Sequence, residues 1–355
     1  MSDLRINNIT DRTGDSGPVI AGVSTVSTTG AFTVPVGPTE MRGGRGRGVF
    51  ACGALTPGYS STMDYVEISS TGNATDFGDA SFIGHPCDGG GSSTTRGVWA
   101  GAYTPSFTTA IDYTIISSGG GSYDFGELLS DRAMARGACT SDGTIAVWGG
   151  GNYGSGPDRT NTLQYVTIAT MGGAAHFGDL TAASEHVGGC SSPTRGVYIL
   201  GYGSSTGPAS PDTNWINVLD YITFASKGNA IDFGQKTWKG YATGGCASNT
   251  RGVFAGGYTP GNTRTNIIEY VTFASLGDSL NFGDLTAAMG ELAGTSNCTR
   301  GIFGTGTTVT PSTTRVNTID YITIASTGNA ADFGDLTLAR SGGAAMGDNS
   351  GGIGQ

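Results

Sequence analysis

The chain has 355 residues, of which 63 are Gly and only 13% are charged, and its net charge is −10 at neutral pH. An acidic balance argues against a nucleic-acid backbone or an anionic membrane as partner, and no apolar run approaches the ~20 residues that span a bilayer as a helix. So much glycine favours short strands and tight turns over helices, and no long stretch places apolar residues at helical spacing.

Residues 1–40 come first and differ in kind from the rest. Leu4-Arg5-Ile6-Asn7-Asn8-Ile9-Thr10 alternates like a strand, and the stretch from Asp11 to Pro18 reads as a turn. Two more extended runs follow, Val19 to Val26 and Ala31 to Val36. The opening Met1-Ser2-Asp3-Leu4-Arg5 lacks the charged-then-apolar order of a secretory signal, so synthesis and folding in a cytoplasm are expected. Three short strands bury little surface. This β segment is therefore expected to dock on a partner through Ile6, Ile9, Val19 and Phe32, with a lid over the rest of the same chain as the alternative.

Residues 41–355 are repetitive. Phe77, Phe125, Phe177, Phe233, Phe282 and Phe333 each precede a Gly, with successive spacings of 48, 52, 56, 49 and 51 residues. A period near fifty points to a repeat architecture. In the clearest copy Arg300-Gly301-Ile302-Phe303-Gly304 is one short strand, Asn317 to Ile324 a second and Asp332-Phe333-Gly334-Asp335-Leu336 a third. A weaker strand of small residues precedes each Arg-Gly, as in Gly244-Gly245-Cys246. Four antiparallel strands per unit describe a propeller blade. The first copy, at Arg47-Gly48, has little sequence before it, whereas Arg340 to Met346 reads as a spare first strand. The expectation is an all-β, six-bladed ring closed by that C-terminal strand, which removes open sheet edges. An open or seven-membered arrangement using residues 1–41 is the alternative.

These residues resemble the kelch repeat family over residues 42–346. Val253-Phe254-Ala255-Gly256-Gly257, Ile268-Glu269-Tyr270-Val271 and Asn281-Phe282-Gly283 look like its three main elements, and Val147-Trp148-Gly149-Gly150 repeats the double glycine. The family's usual Trp near the fourth strand is Phe-Gly here, and Cys52-Gly53, Ala100-Gly101 and Leu200-Gly201 lack a full Gly-Gly. A second resemblance is carried by Ile6-Asn7-Asn8-Ile9-Thr10-Asp11 through Gly17-Pro18 and Phe32-Thr33-Val34-Pro35, together with repeats such as Asp320 to Asn329. These look like virion structural proteins of large tailed phages, particularly cyanophages. That likeness implies a location on the particle, as a tail, baseplate or fibre component, with residues 1–40 joining it to other virion proteins.

Signals for catalysis are thin. The three histidines, His85, His176 and His186, are scattered, and the chain has no HExxH, nucleophile elbow or convincing phosphate loop. A copper oxidase occurs among kelch-like propellers, but its His and Tyr ligand set cannot be placed here. A non-enzymatic chain without cofactor or metal is expected. Repeated acids (Asp76/Asp79, Asp124/Glu127, Asp179, Asp284, Asp332/Asp335) are dispersed around the ring, which suits turn amides and soluble edges better than Ca²⁺. The repeated Arg96, Arg195, Arg251 and Arg300 are expected to pair with carboxylates between blades. Cys139, Cys190 and Cys246 take similar places in successive repeats, too far apart to bridge and suited to small buried roles. Specificity is expected in the loops between second and third strands. Their aromatics, Tyr59, Tyr103, Phe107, Tyr153, Trp215 and Tyr258, could stack on a sugar ring or simply pin the loops. The expected function is display of a propeller on a virion for protein or host-glycan contact. A free-standing glycan-binding lectin is the alternative, and a kelch-like enzyme a third.

Overall fold

Alternating apolar strands that bury both faces need neighbours on both sides, and a ring of sheets supplies them. The computed structural model describes residues 46–86, 89–104, 106–129, 136–152, 159–203, 215–308 and 314–348, and among these it contains no helix. They form a six-bladed β-propeller of antiparallel sheets, each ordered inner, second, third, outer. Blade one takes its second strand from Arg47–Ala54, its third from Tyr59–Glu67 and its outer from Thr75–Asp79. Its inner strand is Ala344–Gly347, paired with the second from Gly48↔Gly347 to Ala51↔Ala344. Asp348 completes the closure by accepting the amides of Gly46 and Arg47, each at 3.0 Å. The expected C-terminal closure is thus the one adopted. The docking residues Ile6, Ile9, Val19 and Phe32 lie outside the described residues.

The Phe-Gly pair is a β-bulge. In blade six Ile319 faces Gly334 and Asp320 faces Asp332, so Phe333 is the extra residue; every other blade repeats this shift. The bulge turns each Phe inward, where it is at most 4% exposed and meets the third-strand Tyr edge-on, as in Tyr321–Phe333 at 6.0 Å. Burying one such ring contributes about 2–3 kcal/mol. The glycine serves the next blade. A Cβ on Gly283 (φ +156°) would lie 2.3 Å from the carbonyl oxygen of Gly328 in the neighbouring turn. That turn donates Gly328 N–H to Phe282 O at 2.8 Å. The same clasp joins blade six to blade one, through Gly72 N–H to Phe333 O at 2.8 Å.

The Arg-Gly pair also works between blades. Arg251 and Arg300 donate to the carbonyls of Ile324 and Ile68 in the next blade at 2.9 and 3.0 Å, each lying over its own blade's Tyr at 4.3 and 4.5 Å. Arg96 and Arg195 do the same toward Ile168 and Phe273. The expected inter-blade carboxylate partners are therefore replaced by carbonyls, because the third strand ends with its C=O groups facing the gap. The adjoining glycine makes room for the previous blade's inner strand: a Cβ on Gly252 would fall 2.5 Å from Cys190 Sγ, and one on Gly301 2.3 Å from Cys246 Sγ. Thr140 fills the matching space over Gly196, Thr295 that over Gly48 and Met346 that over Gly97. Blade three has Ala146 there and receives Gly91 instead. Cys139 is one residue out of register, facing Trp148 where Cys190 and Cys246 face Val197 and Val253. It therefore turns back toward Gly91 of blade two. All three thiols are buried and none is in a disulfide.

The apolar core is divided among the blade interfaces. Val98, Ile111 and Phe125 of blade two pack with Trp148, Val166 and Ile168 of blade three, and comparable clusters fill the other five gaps. Buried third-strand acids tie each blade to the connection entering it. Asp112, Asp220 and Asp320 accept from Ser81, Thr181 and Thr286, which follow the previous blade's Phe-Gly. Burial raises all three carboxyls above the ordinary aspartate range, and these hydrogen bonds oppose it. At blade one the acid is Asp64, which also holds the buried guanidinium of Arg340 at 2.8 Å.

Candidate functional site

The disc has two unlike faces. On one lie the turns between third and outer strands. On the other, the loops between second and third strands are zipped to the outer-to-inner connections by short bridges such as Glu185↔Tyr202, Tyr241↔Tyr258 and His85↔Tyr103. Chemistry gathers on this loop face, over blades three to five.

There the side chains form a closed circuit. Glu185, buried, holds Arg159 Nε at 3.0 Å and Arg136 at 3.6 Å, and accepts from Asn152 at 3.2 Å. Arg159 lies over Tyr202, 4.2 Å from its ring centre. Tyr202 meets Trp215 edge-on at 5.7 Å, and Trp215 leans on Tyr241 at 4.8 Å. Tyr241 stacks on Tyr258 (4.9 Å, 11° between planes) and touches His186 at 4.8 Å, next in the chain to Glu185. Burial, then Arg136, pushes His186 well below the ordinary histidine value, so it is neutral at pH 7. Burial raises Tyr241 to about 12 and lifts Tyr258 as well, so both phenols stay protonated donors. Tyr202, Trp215 and Tyr241 remain half-buried.

The connections also build a rim around the axis. Arg136, His186, Ala242 and Glu291 occupy matching positions before successive inner strands, with φ of 63°, 54°, 59° and 59°. Left-handed backbone is uncommon for such residues. It is held by a relay of hydrogen bonds: Ala242 N–H to His186 O at 3.1 Å, Glu291 N–H to Ala242 O at 3.2 Å and Gly342 N–H to Glu291 O at 3.0 Å. Below the rim the inner strands leave a cavity of about 30 Å³ between Cys139, Cys190, Cys246 and their glycines, room for about one water. That cavity is too small for a sugar ring.

The aromatics singled out from sequence fall into two groups. Trp215 and Tyr258 belong to the circuit, although Tyr258 is buried and its hydroxyl shares a hydrogen bond with Thr307 at 2.8 Å. Tyr258 thus supports Tyr241 rather than meeting solvent, because its loop folds back against blade six. Tyr59, Tyr103 and Phe107 form a smaller group on blades one and two, at 6.2 Å and 5.2 Å. Tyr153 lies outside the described residues. Of the histidines, His176 stands apart on an outer strand, exposed and 3.7 Å from Asp179. The repeated acids stay on the outer strands; Asp76 and Asp232 accept the bulge amides of Gly78 and Gly234. Among the described residues no three His, Cys, Asp or Glu side chains converge as metal ligands. Reading only the second-to-third loops missed Tyr241, Glu185, His186 and Arg136, which sit on the connections. No protein-family model matches the chain and no curated protein matches it, so the kelch and virion likenesses rest on the residues quoted above.

Proposed function

We propose that the chain is a non-enzymatic binding propeller, carried on the particle of a tailed phage as a tail, baseplate or fibre component, whose loop face contacts a host glycan. The observation that carries the binding part is the closed circuit from Arg136 through Glu185, Arg159, Tyr202, Trp215 and Tyr241 to His186. Half-buried aromatic rings suit the C–H face of a sugar, and a fixed polar surround supplies directional hydrogen bonds. Every member is braced by another, which lowers the entropy lost when a ligand binds.

The virion part rests on the sequence likeness, and the geometry is compatible with it. Gly46 lies on the turn face, where its carbonyl accepts from Ile68 N–H at 2.7 Å. That is the side of the ring away from the circuit. Deleting residues 1–40 tests this: the truncated chain should still fold and bind host cells but fail to enter particles. Normal incorporation of the truncated chain would remove the docking role and favour a free-standing lectin.

A further inference from the structure

The circuit is not evenly charged for a chain of net charge −10. Arg136 and Arg159 share the single carboxylate of Glu185. Among the described residues Arg264 donates only to hydroxyls, those of Tyr258 and Thr307 at 3.3 Å, and lies over the Tyr258 ring. Arg136 is the least satisfied of the three. Its contact to Glu185 is 3.6 Å, too long for a strong hydrogen bond, and its Nε is buried with no hydrogen-bond partner among the described residues. Its side chain is 38% exposed, on a residue held at φ 63° at the rim. A buried, unpartnered guanidinium nitrogen is costly, and a part-exposed arginine close to Tyr241 and His186 has terminal N–H groups to offer an anion. Guanidinium geometry matches a planar carboxylate through two parallel N–H donors.

We propose, building on the glycan reading above, that the loop face recognises an acidic sugar, whose ring lies on Trp215 and Tyr241 while Arg136 takes its carboxylate. Glu185 then acts as the support that aims Arg136 and Arg159, and neutral His186 offers no competing positive charge. A neutral sugar would use the same aromatic wall and leave Arg136 unpaired.

The test is binding of the full chain to a panel of uronate- and sialate-bearing oligosaccharides and their carboxyl-reduced counterparts. The acidic members should bind at least tenfold more tightly than the reduced ones. Arg136→Gly, which suits the left-handed backbone and so threatens folding least, should abolish that preference, bringing the acidic sugars down to the level of the reduced ones. Arg136→Lys should retain part of it. Trp215→Ala should lose both classes. Equal binding of acidic and reduced sugars, or a preference that survives Arg136→Gly, overturns the inference but leaves the glycan reading standing. No binding to any oligosaccharide overturns both. Equally tight binding of a glutamate-rich peptide would mean that the carboxylate comes from a protein partner, and would also overturn the inference.

Discussion

Lys236 stands where blades two, three, five and six carry Leu128, Leu180, Leu285 and Leu336, directly after the Phe-Gly unit. It is only 2% exposed, its ammonium donates to Gly240 O and lies 4.4 Å from the centre of the Trp238 ring, and burial lowers it from 10.5 to about 7 despite the opposing pull of Glu269. Between those two values the unfolded chain holds a proton that the fold does not, so stability rises with pH across that window. Below pH 7 both states are protonated and the full cost of burying the charge is present, about 5 kcal/mol for a shift of this size. Lys236→Met keeps the length of the side chain and removes the charge. Part of the gain is offset by leaving Gly240 O unpaired, about 1–2 kcal/mol. The assay is urea unfolding followed by tryptophan fluorescence at pH 6 and pH 9. Stability of the wild type should rise by about 3 kcal/mol relative to the variant over that interval, and the variant should be the more stable at pH 6. Parallel pH dependence of the two proteins would refute the argument.

Other expectations concern the ring itself. Gly252→Ala forces a methyl against Cys190 Sγ and should destabilise by about 1–3 kcal/mol; adding Cys190→Ala should restore most of it in a double-mutant cycle. Arg340→Met leaves Asp64 charged and buried at the closure, a loss of about 3–5 kcal/mol, and Asp64→Asn in the same chain should recover a large share by the same urea assay. Asp320→Asn should be tolerated, since blade three already uses Gln164 at that place to accept Leu129 N–H at 2.7 Å. Because burial raises Asp320, its contribution is lost as pH rises through the folded value, so the Asn variant should gain on the wild type from acid to neutral pH.

Much of the architecture was legible because the repeat is written in residues that do local work. Phe-Gly marks the bulge, Arg-Gly the second strand, and the surplus strand at Ala344–Gly347 announced closure. What escaped was everything decided across a blade gap. The arginines looked destined for carboxylates because sequence shows side chains and not the carbonyls at the end of the neighbouring third strand. The buried acids went unnoticed because Asp64 meets Thr337 and Arg340 from the far end of the chain. Cys139 seemed equivalent to Cys190, yet one extra residue before Val147 turns its side chain to the opposite blade, as the period of two in a strand requires. At the loop face, Trp215 could be picked out by position. Tyr241 and Glu185 could not, since only the bridges between loop and connection bring them together.

The binding proposed for the loop face of blades three to five is tested by a glycan array probed with the full chain, with Trp215→Ala and with Tyr103→Ala. The wild type and Tyr103→Ala should give the same pattern, and Trp215→Ala should lose it. Loss of signal with Tyr103→Ala but not with Trp215→Ala would move the site to the other side of the ring and refute the proposal.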